Sequence, residues 1–162
     1  MTRFLALDVG EARIGVALSD ATGFLASPYT TLHVSRIEGE TLIAIQRLIN
    51  ETEAESLVVG LPVSLDGEIH MQGQRIQSFA EQLRSVISIP LVFADERYST
   101  VEAQRLLAQP GADESGKREK RNGRRGKAKR RHKSHEIDAL AATVILQDYL
   151  DSLGRKTEEK QV

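Results

Sequence analysis

The chain has 162 residues, a length that suits a single domain with one hydrophobic core. It contains no cysteine, which excludes disulfides, a thiolate nucleophile and a zinc–thiolate site. No apolar stretch approaches the roughly 20 residues that span a bilayer, and only four apolar residues follow Met-Thr-Arg at the amino end. We therefore expect a cytoplasmic protein with no membrane partner.

The net charge of −1 hides a strong segregation of charged residues along the chain. Residues 117–133 hold 11 of the 22 Lys and Arg residues and a single acid, Glu119. Because like charges repel and few apolar residues offset the ordering entropy, we predict a flexible basic loop over residues 111–133. Such a cluster indicates contact with nucleic acid, with a merely solvated loop as the alternative.

The first part of the chain predicts an antiparallel meander of strands. Residues 3–9, 13–19 and 29–34 are short β-compatible runs, and Gly10-Glu11-Ala12 separates the first two. A helix follows over residues 42–49, where apolar residues recur at helical spacing.

The rest of the chain predicts strands that alternate with helices. We expect a buried strand over residues 56–60, a helix over 76–87 that Pro90 ends, and a strand over 91–94. A capping box at residues 99–102 predicts a third helix, which Pro110-Gly111 stops.

The last predicted helix begins at Ser134 and is apolar nearly all round from residue 139 to residue 146, which implies burial on several sides. The order of elements predicts an α/β fold, a mixed sheet flanked by helices. We expect one domain over residues 1–153, followed by a disordered tail at 154–162.

Three acidic residues stand at the ends of apolar runs: Asp8, Glu96 and Asp138. If they converge, their oxygens suit a hard divalent cation shared with a substrate phosphate, so a phosphodiester is the natural substrate. Each has a simpler reading. Asp8 could be a turn carboxylate, Glu96 competes with its neighbour Asp95, and Asp138 could favour a helix amino terminus through the dipole.

Four linked motifs carry a resemblance to a known family. They are Leu7-Asp8-Val9-Gly10 with Arg13-Ile14-Gly15-Val16-Ala17, Val58-Val59-Gly60-Leu61-Pro62 with Asp66-Gly67, Asp95-Glu96-Arg97 with Thr100-Val101-Glu102-Ala103, and Asp138 with Ala141-Ala142. Together they resemble the YqgF (RuvX) family. That family has a ribonuclease-H-like fold, is related to the RuvC resolvases, and is described as a Holliday junction resolvase or as the nuclease that matures the 5′ end of pre-16S rRNA.

The resemblance implies a catalytic, metal-binding triad of Asp8, Glu96 and Asp138, with Mg²⁺ or Mn²⁺ in a two-metal site that hydrolyses phosphodiesters. Asp8 would bridge both ions, and Asp138 would contribute from the start of a helix. The chain departs from the family in residues 111–133, which are longer and more basic than the loop usual before the last acid.

Further residues are candidates for substrate binding. They are Gly10, Arg13, Arg97, Tyr98, Thr100, Lys117, Arg118, Arg121, Arg124, Arg125, Lys127, Lys129, Arg130, Arg131 and Lys133. Alternatives stay open for several of them: Arg97 could clamp a carboxylate, Thr100 could cap a helix, and Arg13 could be a solvated strand charge. Gly10 either provides a positive φ that the turn needs or lets the backbone approach the substrate phosphate.

These expectations favour a metal-dependent endonuclease that acts on structured RNA, in particular on pre-16S rRNA within pre-ribosomal particles. A junction resolvase acting on branched DNA would use the same site as a homodimer, whereas an RNA-maturing nuclease can work as a monomer. A non-catalytic RNA-binding factor in ribosome assembly is a third reading. An actin-like phosphotransferase would need a duplicated domain, for which the chain is too short.

Overall fold

Five strands form one mixed sheet with helices on both of its faces. The computed structural model describes residues 1–64, 66–95 and 125–160, with side chains from residue 133 onward in the last range. The strands lie side by side in the order β3-β2-β1-β4-β5. The elements are β1 (Phe4–Val9), β2 (Arg13–Ser19), β3 (Ala26–His33), α1 (Glu40–Thr52), β4 (Ser56–Leu61), α2 (Met71–Arg84), β5 (Leu91–Asp95) and α3 (Arg125–Glu159).

The sheet combines antiparallel and parallel pairing, as the sequence predicts. Strand β1 pairs antiparallel with β2, which pairs antiparallel with β3, so the first three strands form the expected meander. Strands β4 and β5 join on the other side of β1 in parallel, and α1 and α2 provide the crossovers that parallel strands require. The carboxyl ends of β1, β4 and β5 therefore meet at one edge of the sheet.

The side chains of each strand point alternately to the two faces of the sheet, and the interior therefore consists of two cores. Leu5 and Leu7 of β1 are fully buried against the side chains of α1 and α2, whereas Phe4 and Ala6 pack on the opposite face with α3. Because successive strand residues point to opposite faces, the position of every residue along β1 fixes which helix layer it meets.

The structure corrects both predicted boundaries of the last helix. Helix α3 begins at Arg125 rather than at Ser134, so residues 125–133 of the expected loop are helical, and it runs to Glu159 through most of the expected tail. Lys, Arg and Ala are good helix formers, and a helix already held by burial beyond Ala139 extends at little cost because nucleation is complete.

Strand β3 also begins earlier than predicted, at Ala26. It is an edge strand, and proline is tolerated in edge strands although it has no N–H to donate to a neighbouring strand; Pro28 is an example. The register passes from Val16 opposite Thr30 to Ala17 opposite Pro28, so Tyr29 is the extra residue of a β-bulge. The predicted helix after residue 99 lies outside the described residues. Within the described ranges, no helix is long and apolar enough to cross a membrane.

Candidate active site

Asp8 lies near the carboxyl end of β1, on the face of the sheet that α3 covers. It has the same parity along the strand as Phe4 and Ala6, which pack with α3. The residue is half-buried, as expected for a side chain at the border between the core and solvent. Across the β1–β2 ladder its partner is Gly15.

Gly15 is the point at which α3 contacts the sheet. A Cβ built on Gly15 would lie 1.9 Å from the carbonyl oxygen of Asp138 and 3.1 Å from the backbone nitrogen of Ala139. Only a residue without a side chain permits this approach. Asp138 therefore lies against the residue opposite Asp8, and the two carboxylate-bearing residues are neighbours of one glycine although 130 positions separate them in sequence.

Asp138 lies inside α3 and not at its start. Thirteen residues of helix precede it, which corresponds to roughly 20 Å of helix axis. Interaction with a helix dipole is confined to the first turn, so the dipole reading of this acid is wrong, as is its expected place at the start of the helix. The position is instead determined by the packing of the following apolar residues, beginning with Ala139, which is buried.

Arg13 is bonded to Asp138. Its Nε donates to Oδ2 of the carboxylate at 2.6 Å, and the two side chains are 39% and 25% exposed. The sequence left open whether Arg13 faces substrate or water; the structure places it beside a candidate catalytic acid. A charge-assisted bond of this length restricts the rotation of the carboxylate and reduces the local negative charge.

Gly10 occupies the turn between β1 and β2. Its N–H donates to the carbonyl of Arg13 at 2.9 Å. Among the described residues the glycines with positive φ are Gly23, Gly39 and Gly67, so the positive-φ explanation for Gly10 is wrong. The turn itself requires a glycine for another reason, because a Cβ at Gly10 would lie 2.8 Å from the Arg13 carbonyl oxygen. An approach of this backbone to a substrate phosphate stays a prediction.

A histidine pair beside the site was not predicted from sequence. The rings of His33 on β3 and His135 on α3 meet edge to face with centroids 4.9 Å apart, and the Thr31 hydroxyl donates to the His135 carbonyl at 2.8 Å. His33 is opposite Arg13 in the β2–β3 ladder, so the pair holds α3 against the sheet next to the Arg13–Asp138 bond. One sequence feature could have indicated that His135 lies near the site. His135 is three residues before Asp138, and this spacing puts both residues on one face of a helix.

A second group of ligating side chains lies in the connection between β4 and α2. Asp66, Glu68 and His70 are exposed, and their ligating atoms lie within 4.8 Å of one another. The Asp66 carboxylate accepts the backbone N–H of Glu68 at 3.0 Å, a bond that shapes the turn. The connection follows the carboxyl end of β4, the same edge of the sheet as Asp8.

The chain is similar to known proteins over nearly its whole length. The family model RuvX, described as a Holliday junction resolvase, matches residues 2–152. The chain belongs to the RuvX family. A relative from Roseiflexus sp. (strain RS-1) is 44% identical over 93% of this chain and 94% of its own length, and one from Moorella thermoacetica is 39% identical over 94% and 97%. Both carry the name "Putative pre-16S rRNA nuclease".

The fold resembles that of a RuvC resolvase. The structure of T. thermophilus RuvC in complex with a Holliday junction substrate superposes with a TM-score of 0.51 at 12% identity, covering 94% of this chain and 95% of that chain. At such low identity the likeness concerns the fold alone. The predicted ribonuclease-H-like fold is therefore confirmed, and membership of RuvX confirms the prediction of a nuclease that hydrolyses phosphodiester bonds.

Several predicted site residues of this RuvX protein lie outside the described residues. They are Glu96, Arg97, Tyr98, Thr100, Lys117, Arg118, Arg121 and Arg124. The backbone of α3 includes a further group of predicted substrate-binding residues, namely Arg125, Lys127, Lys129, Arg130 and Arg131. Lys133, the last of the basic cluster, is exposed.

Proposed function

We propose that this protein is a divalent-metal-dependent endonuclease that matures the 5′ end of pre-16S rRNA. The observation that carries the proposal is the packing of the Asp138 backbone on Gly15, the ladder partner of Asp8, because it brings the two acidic residues next to one glycine. The choice of RNA rests on the names of the relatives, which are similar over nearly their whole length.

The donors at this location fit a hydrated divalent cation. Asp8 and Asp138 offer carboxylate oxygens, the ligands that Mg²⁺ and Mn²⁺ prefer, and both residues are half-buried, so water and a phosphate reach them. Glu96, the residue after the end of β5, is proposed as the third ligand. When bound, two such ions activate the attacking water and stabilise the leaving oxygen.

The residues of the chain supply orientation and charge control. Asp8 is held by a paired strand, and Arg13 holds one oxygen of Asp138 at 2.6 Å, so both carboxylates are positioned before substrate arrives. The Arg13 guanidinium also keeps positive charge next to the position where the scissile phosphate would bind.

The basic part of α3 is proposed to bind the phosphate backbone. Residues 125–133 form the amino-terminal part of α3 and precede Asp138 by little more than one helical turn. Among the helix residues whose side chains are described, the first buried one is Ala139. Six of these nine residues are Lys or Arg and none is acidic. A cationic helix leading to the acidic site would guide a polyanion to the carboxylates.

Cleavage of a precursor RNA tests the proposal. The full-length chain with Mn²⁺ is expected to shorten a transcript that carries the 5′ extension of 16S rRNA, and Asp8→Asn is expected to remove that activity while leaving binding intact. No cleavage by the wild type at any Mn²⁺ concentration would reject the nuclease. Unchanged RNA binding in a variant with neutralised basic residues would show that the RNA uses a different binding surface.

A junction resolvase is the second candidate function, favoured by the description of the family. A four-way DNA junction tested in parallel with the RNA separates the two. Symmetric cleavage of the junction by a dimer, with intact RNA, would replace the proposed substrate by branched DNA. Retained ribosome assembly in a cell that carries only Asp8→Asn would instead favour the non-catalytic factor.

A further inference from the structure

A small pocket opens beside Gly10, on the face of the sheet opposite α3. Its volume is about 150 Å³, and its walls are apolar side chains of β1, β2 and α2, including Val9, Ile14, Ile76 and Phe79. Ile14 and Ile76 are buried in the core, so the floor of the pocket is a fixed part of the fold. Asp8, Arg13 and Asp138 are not among the residues that line the pocket.

The pocket and Asp8 are on opposite faces of the same strand end. Val9 is opposite Ile14 in the β1–β2 ladder, and the next rung pairs Asp8 with Gly15. One step along a strand is about 3.3 Å, and consecutive side chains point to opposite faces. A nucleotide that crosses the edge of the sheet at Gly10 can therefore place its phosphate on the Asp8 side and its base on the pocket side.

The absence of a side chain at Gly10 leaves that crossing open. Gly10 is exposed, and its turn is closed by the bond from its N–H to the Arg13 carbonyl. The same turn thus connects the pocket wall at Val9 with Arg13, which holds Asp138 on the other face.

The chemistry of the pocket matches a nucleobase. Apolar walls with one aromatic ring, Phe79, suit the faces of a planar heterocycle, and a cavity of about 150 Å³ holds one six-membered ring. Polar groups surround the mouth: the Gln72 amide, which both donates and accepts, and the exposed ion pair between Arg75 and Glu11 at 2.8 Å. A base has the same distribution, with apolar faces and a polar edge.

We propose that this pocket binds one unpaired nucleobase of the substrate strand, adjacent to the phosphate that is cut. The proposal rests on the proposed nuclease function and adds a substrate requirement to it, namely an unstacked nucleotide at the cleavage position. Sequence-specific recognition of RNA commonly uses unstacked bases that pack on apolar and aromatic side chains. The pocket would thereby set the register of the strand over Asp8 and Asp138.

A pair of matched variants on α2 tests the pocket. Gln72→Trp places an indole at the mouth, and Gln74→Trp makes the same change two residues away, outside the pocket lining. Both residues are exposed, so neither substitution disturbs the core. Thermal unfolding of both variants checks that the fold is retained.

Binding is measured in an Asp138→Asn background, so that the strand stays intact. The probes are a fluorescein-labelled pre-16S 5′-extension RNA and a series in which one nucleotide at a time is abasic. We expect one position at which base removal weakens binding about tenfold in the parent and in Gln74→Trp, while Gln72→Trp binds both probes equally. No such position in the parent, or an unchanged penalty in Gln72→Trp, would overturn the pocket.

A parallel cleavage assay with the wild type and Mn²⁺ separates this proposal from the proposed function. Cleavage without any base-dependent position rejects the pocket and keeps the nuclease. A base-dependent position without cleavage of RNA or junction DNA rejects the nuclease function on which the proposal rests and leaves the pocket as a binding site only. Failure of the parent to bind any probe rejects the pocket.

Discussion

Gly15 and Asp138 are in direct backbone contact, because a Cβ on Gly15 would lie 1.9 Å from the Asp138 carbonyl oxygen. This contact determines the distance between α3 and β2 at the level of Asp8, the partner of Gly15 in the ladder. The contact therefore sets both the packing of the helix and the geometry of the proposed metal site.

Gly15→Ala is expected to impair folding and cleavage together. The methyl group forces the helix backbone away from the sheet, at a cost of about 1–3 kcal/mol in the free energy of unfolding. Gly154→Ala in the same helix is the matched control: a Cβ there meets nothing within 4 Å, and the exchange should stabilise the helix by about 0.5–1 kcal/mol. Thermal unfolding and RNA cleavage measure both variants. Wild-type stability of Gly15→Ala would show that α3 does not approach β2 this closely.

Asp8→Asn and Asp138→Asn should each reduce metal-dependent cleavage by about a hundredfold or more, because a carboxylate ligand supports several kcal/mol of transition-state stabilisation through the ions. RNA binding should persist, since the cationic helix is unchanged. Asp151→Asn, an exposed acid further along α3, controls for loss of charge alone. Single-turnover cleavage across a Mn²⁺ titration provides the measurement. Activity above a tenth of wild type in both site variants would rule out these ligands.

Arg13→Gln should lower the rate of cleavage about tenfold and also lower the Mn²⁺ concentration that gives half-maximal activity. The first effect follows from a carboxylate that is no longer positioned, and the second from removal of a positive charge near the bound ions. Arg84→Gln removes an arginine that pairs with Glu81 on α2 and should change neither quantity. An unchanged Mn²⁺ midpoint in Arg13→Gln would mean that the Arg13–Asp138 bond has no influence on metal binding.

Replacing the basic residues of helix α3 by Gln should flatten the salt dependence of RNA binding. The residues are Arg125, Lys127, Lys129, Arg130, Arg131 and Lys133. If all six contact single-stranded phosphates, the slope of log K against log salt changes by about 4, because each contact contributes about 0.7. Replacement of Arg155, Lys156 and Lys160, near the carboxyl end of the chain, serves as the control. The same slope in both sets would exclude a special role for the basic cluster.

Asp20 should make the stability of the β2–β3 turn depend on acid. Its carboxylate accepts from the Thr22 hydroxyl and from the backbone N–H groups of Leu25 and Phe24, which together lower its pKa below the ordinary value. The stabilisation is present above the ordinary value of about 3.9 and is lost as the pH falls through the lowered pKa. As the pH is lowered from neutral to acid, the thermal unfolding temperature should fall less in Asp20→Asn than in the wild type. Identical declines would show that the turn contributes nothing.

The strands and most of the helices could be predicted from the sequence because burial imposes a clear pattern of apolar residues. Residues 13–19 and 56–60 are apolar or β-branched runs between turn residues, and they correspond to β2 and β4 within one residue. The start of α3 could not be predicted, since like charges and the small number of apolar residues suggested a loop. The stabilising burial lies more than a turn further along, beyond Ala139.

The site was predictable in part for a similar reason. The rule that polar residues collect at strand ends singles out Asp8. This rule uses only the residues of one strand and needs no information from distant parts of the sequence. The bond from Arg13 to Asp138 and the fit of Gly15 under α3 join residues more than 120 positions apart. Such contacts depend on the packing of the completed fold, which local sequence patterns do not encode.

The most direct test of the central claim is the location of Mn²⁺ by anomalous diffraction from crystals of the wild-type protein soaked in the metal. We expect an anomalous peak about 2–2.5 Å from carboxylate oxygens of both Asp8 and Asp138. A peak confined to Asp66, Glu68 and His70, with none between Asp8 and Asp138, would contradict the proposed site.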